Sequence, residues 1–383
     1  MIGVIADDLT GAAEIGAVGL RHGLRAEIVR SGAPSGQADL VCVDTDSRSC
    51  GPDEAGKRAA GAAKLLNRAG AEWIYKKVDS VLRGQVTAEV EAVMKQLRLN
   101  RALLLPANPS LGRVIRDGQY FVSGKPIHKT EFAHDPEYPR RAPQVMRLLK
   151  LPETFSIRLS NGDRSLANDT IVVGEAATSK DVREWAAHRE AGILSAGGSE
   201  FFGALLAEEK FSIQDGEENP LAPASGRELF ICGTSTESVH KFVTTARRRK
   251  QPVFSLPREL MWGAVFSAAA AEAIAERVAA ASEASSRVIL NVGLPPVRDF
   301  AVARHLSDYL IQIAERVLQL TEIANVFAEG GATSAGLVRR MNWARLAVLR
   351  EHASGVATLA IKDNPAILLT IKPGTYAWPA KWT

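Results

Sequence analysis

Short apolar runs alternate along this chain with longer stretches in which apolar residues recur every three to four positions. Ile2-Gly3-Val4-Ile5 reads as a buried strand and Ala12–Leu20 as the helix after it. Further strand-like runs stand at Ala26–Val29, Leu40–Val43, Trp73–Tyr75, Ala102–Leu105, Ile171–Val173 and Ile193–Ser195, with helical patterns at Glu54–Ala69 and Val86–Leu97 between them. This alternation predicts parallel strands joined by crossover helices. One segment departs from it: in Tyr120–Ile127, Ser123-Gly124 separates two short extended runs, a hairpin signal. Glu217–Gly226, with two prolines and a Ser-Gly end, reads as a linker. Beyond it the pattern restarts with strands at Leu229–Cys232, Val288–Val292, Val326–Ala328 and Ile367–Ile371 and a helix from about Glu237 to Arg249. The expectation is an α/β protein of two domains, residues 1–225 and 226–383, each a largely parallel sheet with flanking helices.

A length of 383 residues suits two domains. Charge narrows the partners: 47 basic against 43 acidic residues give a net +4, too balanced to argue for nucleic acid. The basic run Arg247-Arg248-Arg249-Lys250 ends a helix, where cations complement the helix dipole. Ala264–Ala281 is apolar but carries Glu272, Glu276 and Arg277, so it reads as a soluble amphipathic helix rather than a membrane span. Two acids by position 8 argue against a signal peptide. Three cysteines, Cys42, Cys50 and Cys232, with no C-x-x-C spacing argue against a disulfide framework, and a cytoplasmic setting is expected. The apolar stripe of Ala301–Leu320 leaves two readings open, a homodimer face or a core face.

The candidate chemistry gathers where strands end and helices begin. Asp7 and Asp8 follow the first strand. An aspartate there is a favoured helix N-cap, but a cap needs only one, and the second carboxylate repels the first unless a cation neutralises the pair. In Lys76-Lys77-Val78-Asp79-Ser80-Val81-Leu82-Arg83-Gly84, Arg83 offers a planar fork for a carboxylate, with Lys76 and Asp79 beside it. Pro106–Arg113 is a turn-rich loop after another strand, and His128-Lys129-Thr130-Glu131-Phe132-Ala133-His134-Asp135-Pro136 concentrates hydrogen-bonding groups. It lacks the spacing of a zinc site and reads as a polar substrate wall. In the second half, Gly233-Thr234-Ser235-Thr236 and Glu329-Gly330-Gly331-Ala332-Thr333-Ser334 are glycine-bearing strand-to-helix turns whose backbone N–H groups suit phosphate. Lys372-Pro373-Gly374 adds a cation after the last strand. Neither a G-x-G-x-x-G nor a G-x-x-x-x-G-K-[ST] pattern is present, which argues against a dinucleotide dehydrogenase or a P-loop enzyme.

Together Ala6–Ala12, Lys76–Gly84 and the stretch from Pro106 to Pro136 resemble the four-carbon acid sugar kinases, the kinases of threonate, erythronate and 3-oxo-tetronate, over nearly the whole chain. The resemblance implies an N-terminal sugar-acid domain, a C-terminal nucleotide domain, an active site in the cleft between them, and ATP with Mg²⁺ phosphorylating the terminal hydroxyl of a four-carbon acid. Carried across, it implies catalytic roles for Asp7 and Asp8 and substrate contacts from Lys76, Asp79 and Arg83. ATP contacts fall on Ser235 or a neighbouring hydroxyl, Gly330, Gly331, Ala332, Thr333 and Gly374, with no protein-held metal site. Two positions depart from the family pattern. Ala332 stands where an acidic residue is common after the paired glycines, with Glu329 near by as a substitute, and no second glycine follows Gly374 closely. Ala332 sustains an alternative, a non-catalytic sugar-acid or nucleotide sensor.

Overall fold

The computed structural model describes residues 1–135, 137–160, 165, 167–213, 226–262, 267–295, 297, 299–374 and 376–383. Residues 217–225 of the expected linker lie outside the described residues, as do Pro136 and residues 264–266 of the alanine-rich segment. The chain divides into two compact units, Met1–Asp215 and Gly216–Thr383.

The first unit carries strands β1 (Ile2–Ala6), β2 (Ala26–Val29), β3 (Leu40–Asp44), β4 (Trp73–Lys77), β5 (Arg101–Leu105), β6 (Arg113–Arg116), β7 (Gln119–Val122), β8 (Lys125–Pro126), β9 (Ser156–Ser160), β10 (Thr170–Gly174) and β11 (Leu194–Gly197). Its helices are α1 (Leu9–Arg21), α2 (Pro52–Arg68), α3 (Val86–Leu97), α4 (Val145–Leu148), α5 (Ser179–Ala186) and α6 (Ser199–Glu208). Eight strands pair in parallel in the order β2-β3-β1-β4-β11-β5-β10-β9. All five residues of β1 and all four of β2 are buried, as strands covered on both faces require.

The direction of the crossovers positions the site. From β1 the chain passes through α1 leftward to β2, whereas α2 carries β3 rightward to β4 and α3 carries β4 rightward to β5. Right-handed connections running in opposite directions lie on opposite faces of a sheet. The loop leaving β1 therefore diverges from those leaving its two neighbours, β3 and β4, and a crevice opens at their carboxyl ends. The anticipated hairpin is present as β7–β8, with Ser123 (φ 48°) and Gly124 (φ 77°) both left-handed, the geometry of a two-residue primed turn. With β6 it forms a separate antiparallel sheet.

The second unit contains β12 (Glu228–Cys232), β13 (Val253–Ser255), β14 (Arg287–Asn291), β15 (Asn325–Glu329), β16 (Arg345–Ala353), β17 (Val356–Ile361) and β18 (Leu368–Lys372), with α7 (Glu237–Arg248), α8 (Ala268–Ala284), α9 (Phe300–Leu320) and α10 (Gly331–Arg340). The order β13-β14-β12-β15-β18 is parallel, and β17 and β16 extend it antiparallel. Here too neighbouring strands send their chains opposite ways: β12 leads through α7 to β13 on its left, β15 through α10 toward β16 on its right. The core stacks Phe230 on Phe327 (centroids 4.1 Å apart), with Trp378 edge-on to both at 5.5 and 5.9 Å. The stripe of α9 is a core face and not a free dimer surface. Leu306, Leu310, Ile311, Ile313, Ala314 and Val317 are buried, and α9 packs on α8, α10 and β14.

Candidate functional site

In the first unit three loops converge on one guanidinium. Asp8 is the N-cap of α1, accepting from Gly11 N at 2.7 Å and Thr10 Oγ1 at 2.5 Å. That settles which aspartate caps and leaves Asp7 uncommitted to the helix. The cation demanded by two adjacent carboxylates is Arg48, from the loop after β3. It grips Asp7 in two-pronged fashion (Nε to Oδ2 2.7 Å, Nη2 to Oδ1 3.1 Å), reaches Asp8 Oδ2 with Nη1 at 2.6 Å, and lies 3.6 Å from Asp79 Oδ1. Burial works against the charge of Asp7, but Arg48 and Lys76 outweigh it and hold the carboxyl below its usual 3.8. Arg48 was not singled out in the sequence. Its signal was indirect: an unexplained acid pair, and a polar Asp46-Ser47-Arg48-Ser49 stretch after a buried strand.

Asp79, from the loop after β4, organises the second motif. It accepts from the backbone of Val81 (3.1 Å) and Arg83 (3.0 Å) and pairs with the Arg83 side chain at 2.9 and 3.1 Å. Burial raises its pKa, and the Arg83 and Arg48 charges more than reverse that, so it stays well below 3.8. Arg83 also reaches Asp135 at 3.2 Å, tying this loop to the segment after the hairpin. Arg83 is therefore held between two carboxylates. Lys76 is fully buried: Nζ pairs with Glu89 at 2.8 Å and donates to Lys77 O at 2.7 Å. Lys77 pairs with Glu14 at 3.2 Å. Tyr120 and Arg113 both donate to Ser80, and Tyr138 donates to Arg48 O, so hairpin and wall segment brace the same loops. Asp7, Asp8, Asp79 and Arg83 thus come together around Arg48, with Lys76 sealed beneath.

In the second unit the turns after β12, β15 and β18 interlock. Gly330 sits at φ 97°, a left-handed conformation, and a Cβ there would lie 3.0 Å from Thr234 Cγ2. A Cβ on Gly233 would collide with Thr333 Oγ1, and one on Gly374 would come within 2.6 Å of Thr234 Cγ2. Close packing of three turns, rather than flexibility, explains these glycines. Gly330 is the N-cap of α10 and supplies no side-chain cap, so the first turn formed by Gly331, Ala332 and Thr333 keeps its donor end for another acceptor. Ser235 is already engaged, its Oγ donating to Leu294 O at 2.6 Å.

Glu329 closes the floor. Thr234 Oγ1 donates to its Oε1 and Lys372 Nζ lies 3.5 Å from the same oxygen, while Oε2 is buried with no partner. Burial pushes the Glu329 carboxyl up and the Lys372 ammonium down, the Lys372 and Glu329 charges only partly offsetting it. Among the described residues no three His, Cys, Asp or Glu side chains cluster as a metal cage, and no helix is long and apolar enough to cross a membrane.

Residues 2–205 match the family described as sugar-binding N-terminal domain, just over half of the chain. The chain belongs to the four-carbon acid sugar kinase family. It is 33% identical to a D-threonate kinase of Salmonella typhimurium over 157 residues, 40% of this chain and 37% of that protein. Similarity to the D-threonate kinase of Cupriavidus necator is 28% over 399 residues, 97% of this chain and 94% of that one. Other matches are named 3-oxo-tetronate kinase and D-erythronate kinase. A crystal structure of a Salmonella typhimurium protein described as a putative tRNA synthase has the same fold, with a TM-score of 0.80 at 20% identity, covering 100% of this chain and 97% of that one.

Proposed function

We propose that this chain is an ATP-dependent kinase that phosphorylates a hydroxyl of a four-carbon sugar acid. The observation that carries the reading is the acid pair Asp7–Asp8 clamped by Arg48 at the diverging ends of β1, β3 and β4, inside the segment matched by the sugar-binding family. Sugar hydroxyls need acceptors with fixed direction, and two carboxylates locked by one guanidinium provide them. Asp8 is committed to capping α1, so Asp7 is assigned the reacting hydroxyl, orienting it and accepting its proton. Arg48 holds both carboxylates in place, and Arg83 holds Asp79 beside them.

The nucleotide is assigned to the second unit, its phosphates at the first turn of α10 beside Gly330, Gly331, Ala332, Thr333 and Gly374. Bound ATP–Mg²⁺ would supply the phosphoryl group and spread its charge. The buried, partnerless Glu329 Oε2 is the protein oxygen that fits Mg²⁺, an ion that commonly takes one or two carboxylates and otherwise phosphates and water. Ser235 acts by tying the β12 and β14 loops together. Transfer then depends on positioning and electrostatics, not on a covalent enzyme intermediate.

The test is Mg²⁺-dependent ADP release by the purified full chain with threonate, erythronate and 3-oxo-tetronate. Turnover of at least one acid is expected. Binding of an acid without ADP release from any of them would favour the sensor that Ala332 keeps open.

A further inference from the structure

Arg140 is 6% exposed, yet its Nε and Nη2 are buried without any acceptor. Its guanidinium lies over the ring of Tyr138, 5.7 Å from the centroid. Buried guanidinium donors without an acceptor are costly, and a ligand anion would supply one. Four other cations of this corner are engaged: Arg48 by Asp7 and Asp8, Arg83 by Asp79 and Asp135, Lys76 by Glu89, Arg113 by Ser80, whereas Arg147 and Lys150 are exposed. Arg140 also feels the charges of Asp79, Arg83 and Asp135, so it borders the cluster described above. It lines a cavity of about 260 Å³ with Gln85, Glu137, Tyr138, Arg147 and Lys150. Glu137 is the carboxylate there. Its Oε2 accepts from Ser49 at 2.9 Å, and it forms no ion pair with Arg140.

We propose that Arg140, rather than Arg83, receives the carboxylate of the sugar acid, making it the residue that distinguishes an acid from the corresponding polyol. This deepens the kinase reading and rests on it for the identity of the ligand. The cavity has the required mix: a cation for the acid end, and Glu137, Tyr138 and Gln85 for hydroxyls. It is smaller than the ~300 Å³ lower bound of drug-sized pockets, as a small acid needs.

The experiment measures binding and turnover of four-carbon acids and the matching tetritols by the full chain and by Arg140→Gln and Arg140→Lys. Charge-assisted hydrogen bonds of this kind set the expected loss of acid affinity in Arg140→Gln at roughly tenfold to a hundredfold. ATP affinity and the weak binding of tetritol should not change, and Arg140→Lys should recover part of the loss. The ligand-free melting temperature of Arg140→Gln should not fall, because the buried charge it removes has no partner. A fallen melting temperature with acid-over-polyol preference intact would make Arg140 structural and overturn the proposal, leaving the kinase reading standing. Acid binding that depends on Arg140, without turnover, would support the proposal and overturn the kinase. Failure of every acid to bind the unaltered protein would overturn both.

Discussion

At the residue scale, one arginine resolves the puzzle posed by two adjacent aspartates. Arg48 replaces the water both carboxylates lose, and it does so from a loop 40 residues away along the chain. Arg48→Lys keeps a charge but cannot span Asp7 and Asp8 with a planar fork. We expect kcat/KM for the acid to fall roughly tenfold to a hundredfold, the worth of one or two charge-assisted hydrogen bonds, with ATP binding unchanged by titration calorimetry. Asp8→Ala should instead cost stability, about 1 kcal/mol for a lost N-cap, read from denaturant midpoints. The acid pair was legible in the sequence because it breaks an apolar pattern at a strand end. Its counter-ion was not, because the partner of a charge is fixed by sheet order, and nothing in residues 46–49 reveals that β3 lies beside β1. The same reason hid Arg140, and it led to Arg83 being read as a free fork when Asp79 and Asp135 already hold it.

Residue charge also sets how the protein responds to acid. Asp7 and Asp79 have folded pKa values below those of the unfolded chain, so their contribution to stability is complete above about pH 4 and is lost as pH falls through the folded values. His352 differs. Burial, with Lys381 and Arg350 near by, lowers it from 6.5 to about 4. Lys381 Nζ donates to its Nδ1 at 2.7 Å, so the neutral ring carries its proton on Nε2 and donates to Thr358 Oγ1 at 2.7 Å. The unfolded chain protonates first. Stability present above pH 6.5 should therefore decline between pH 6.5 and about 4, and His352→Gln should flatten that part of a melting-temperature profile.

At the scale of elements, what the sequence revealed tracks how strongly burial constrains the pattern. Central parallel strands are apolar throughout, and β1 to β5 stand where the apolar runs predicted them to within two residues. Of the strands without a signal, β6, β9, β13 and β16 are edges, short pieces or two-sided surfaces whose residues are mostly only partly buried, whereas β17 is an interior strand with four of its six residues buried, and its apolar run was overlooked. The glycine turns were visible as composition, but their reason is tertiary. Gly233, Gly330 and Gly374 are small because three turns meet. Gly233→Ala should force Thr333 or the β12 turn aside, costing about 1–3 kcal/mol as overpacking does, and it should weaken nucleotide binding. Circular dichroism melts with and without ATP–Mg²⁺ separate the two effects.

For the whole molecule, the division of labour makes a prediction that no single site can. On the proposed assignment of the sugar acid to the unit Met1–Asp215 and the nucleotide to the unit Gly216–Thr383, the two sites can be disabled one at a time. Gly330→Val places a β-branched residue at φ 97° and drives its Cβ toward Thr234, which should abolish the melting shift produced by ATP–Mg²⁺. Asp7→Asn leaves those turns untouched but removes one charge from the Arg48 clamp, so it should lower the turnover rate while keeping the nucleotide shift. Ligand stabilisation follows RT ln(1 + [L]/Kd), so at a hundredfold excess over Kd each intact site should contribute about 2.7 kcal/mol. Each variant should lose one of the two shifts or the turnover, never both shifts together. Loss of the acid shift in Gly330→Val would mean that the acid contacts the second unit as well, and the assignment of one ligand to each unit would have to be abandoned.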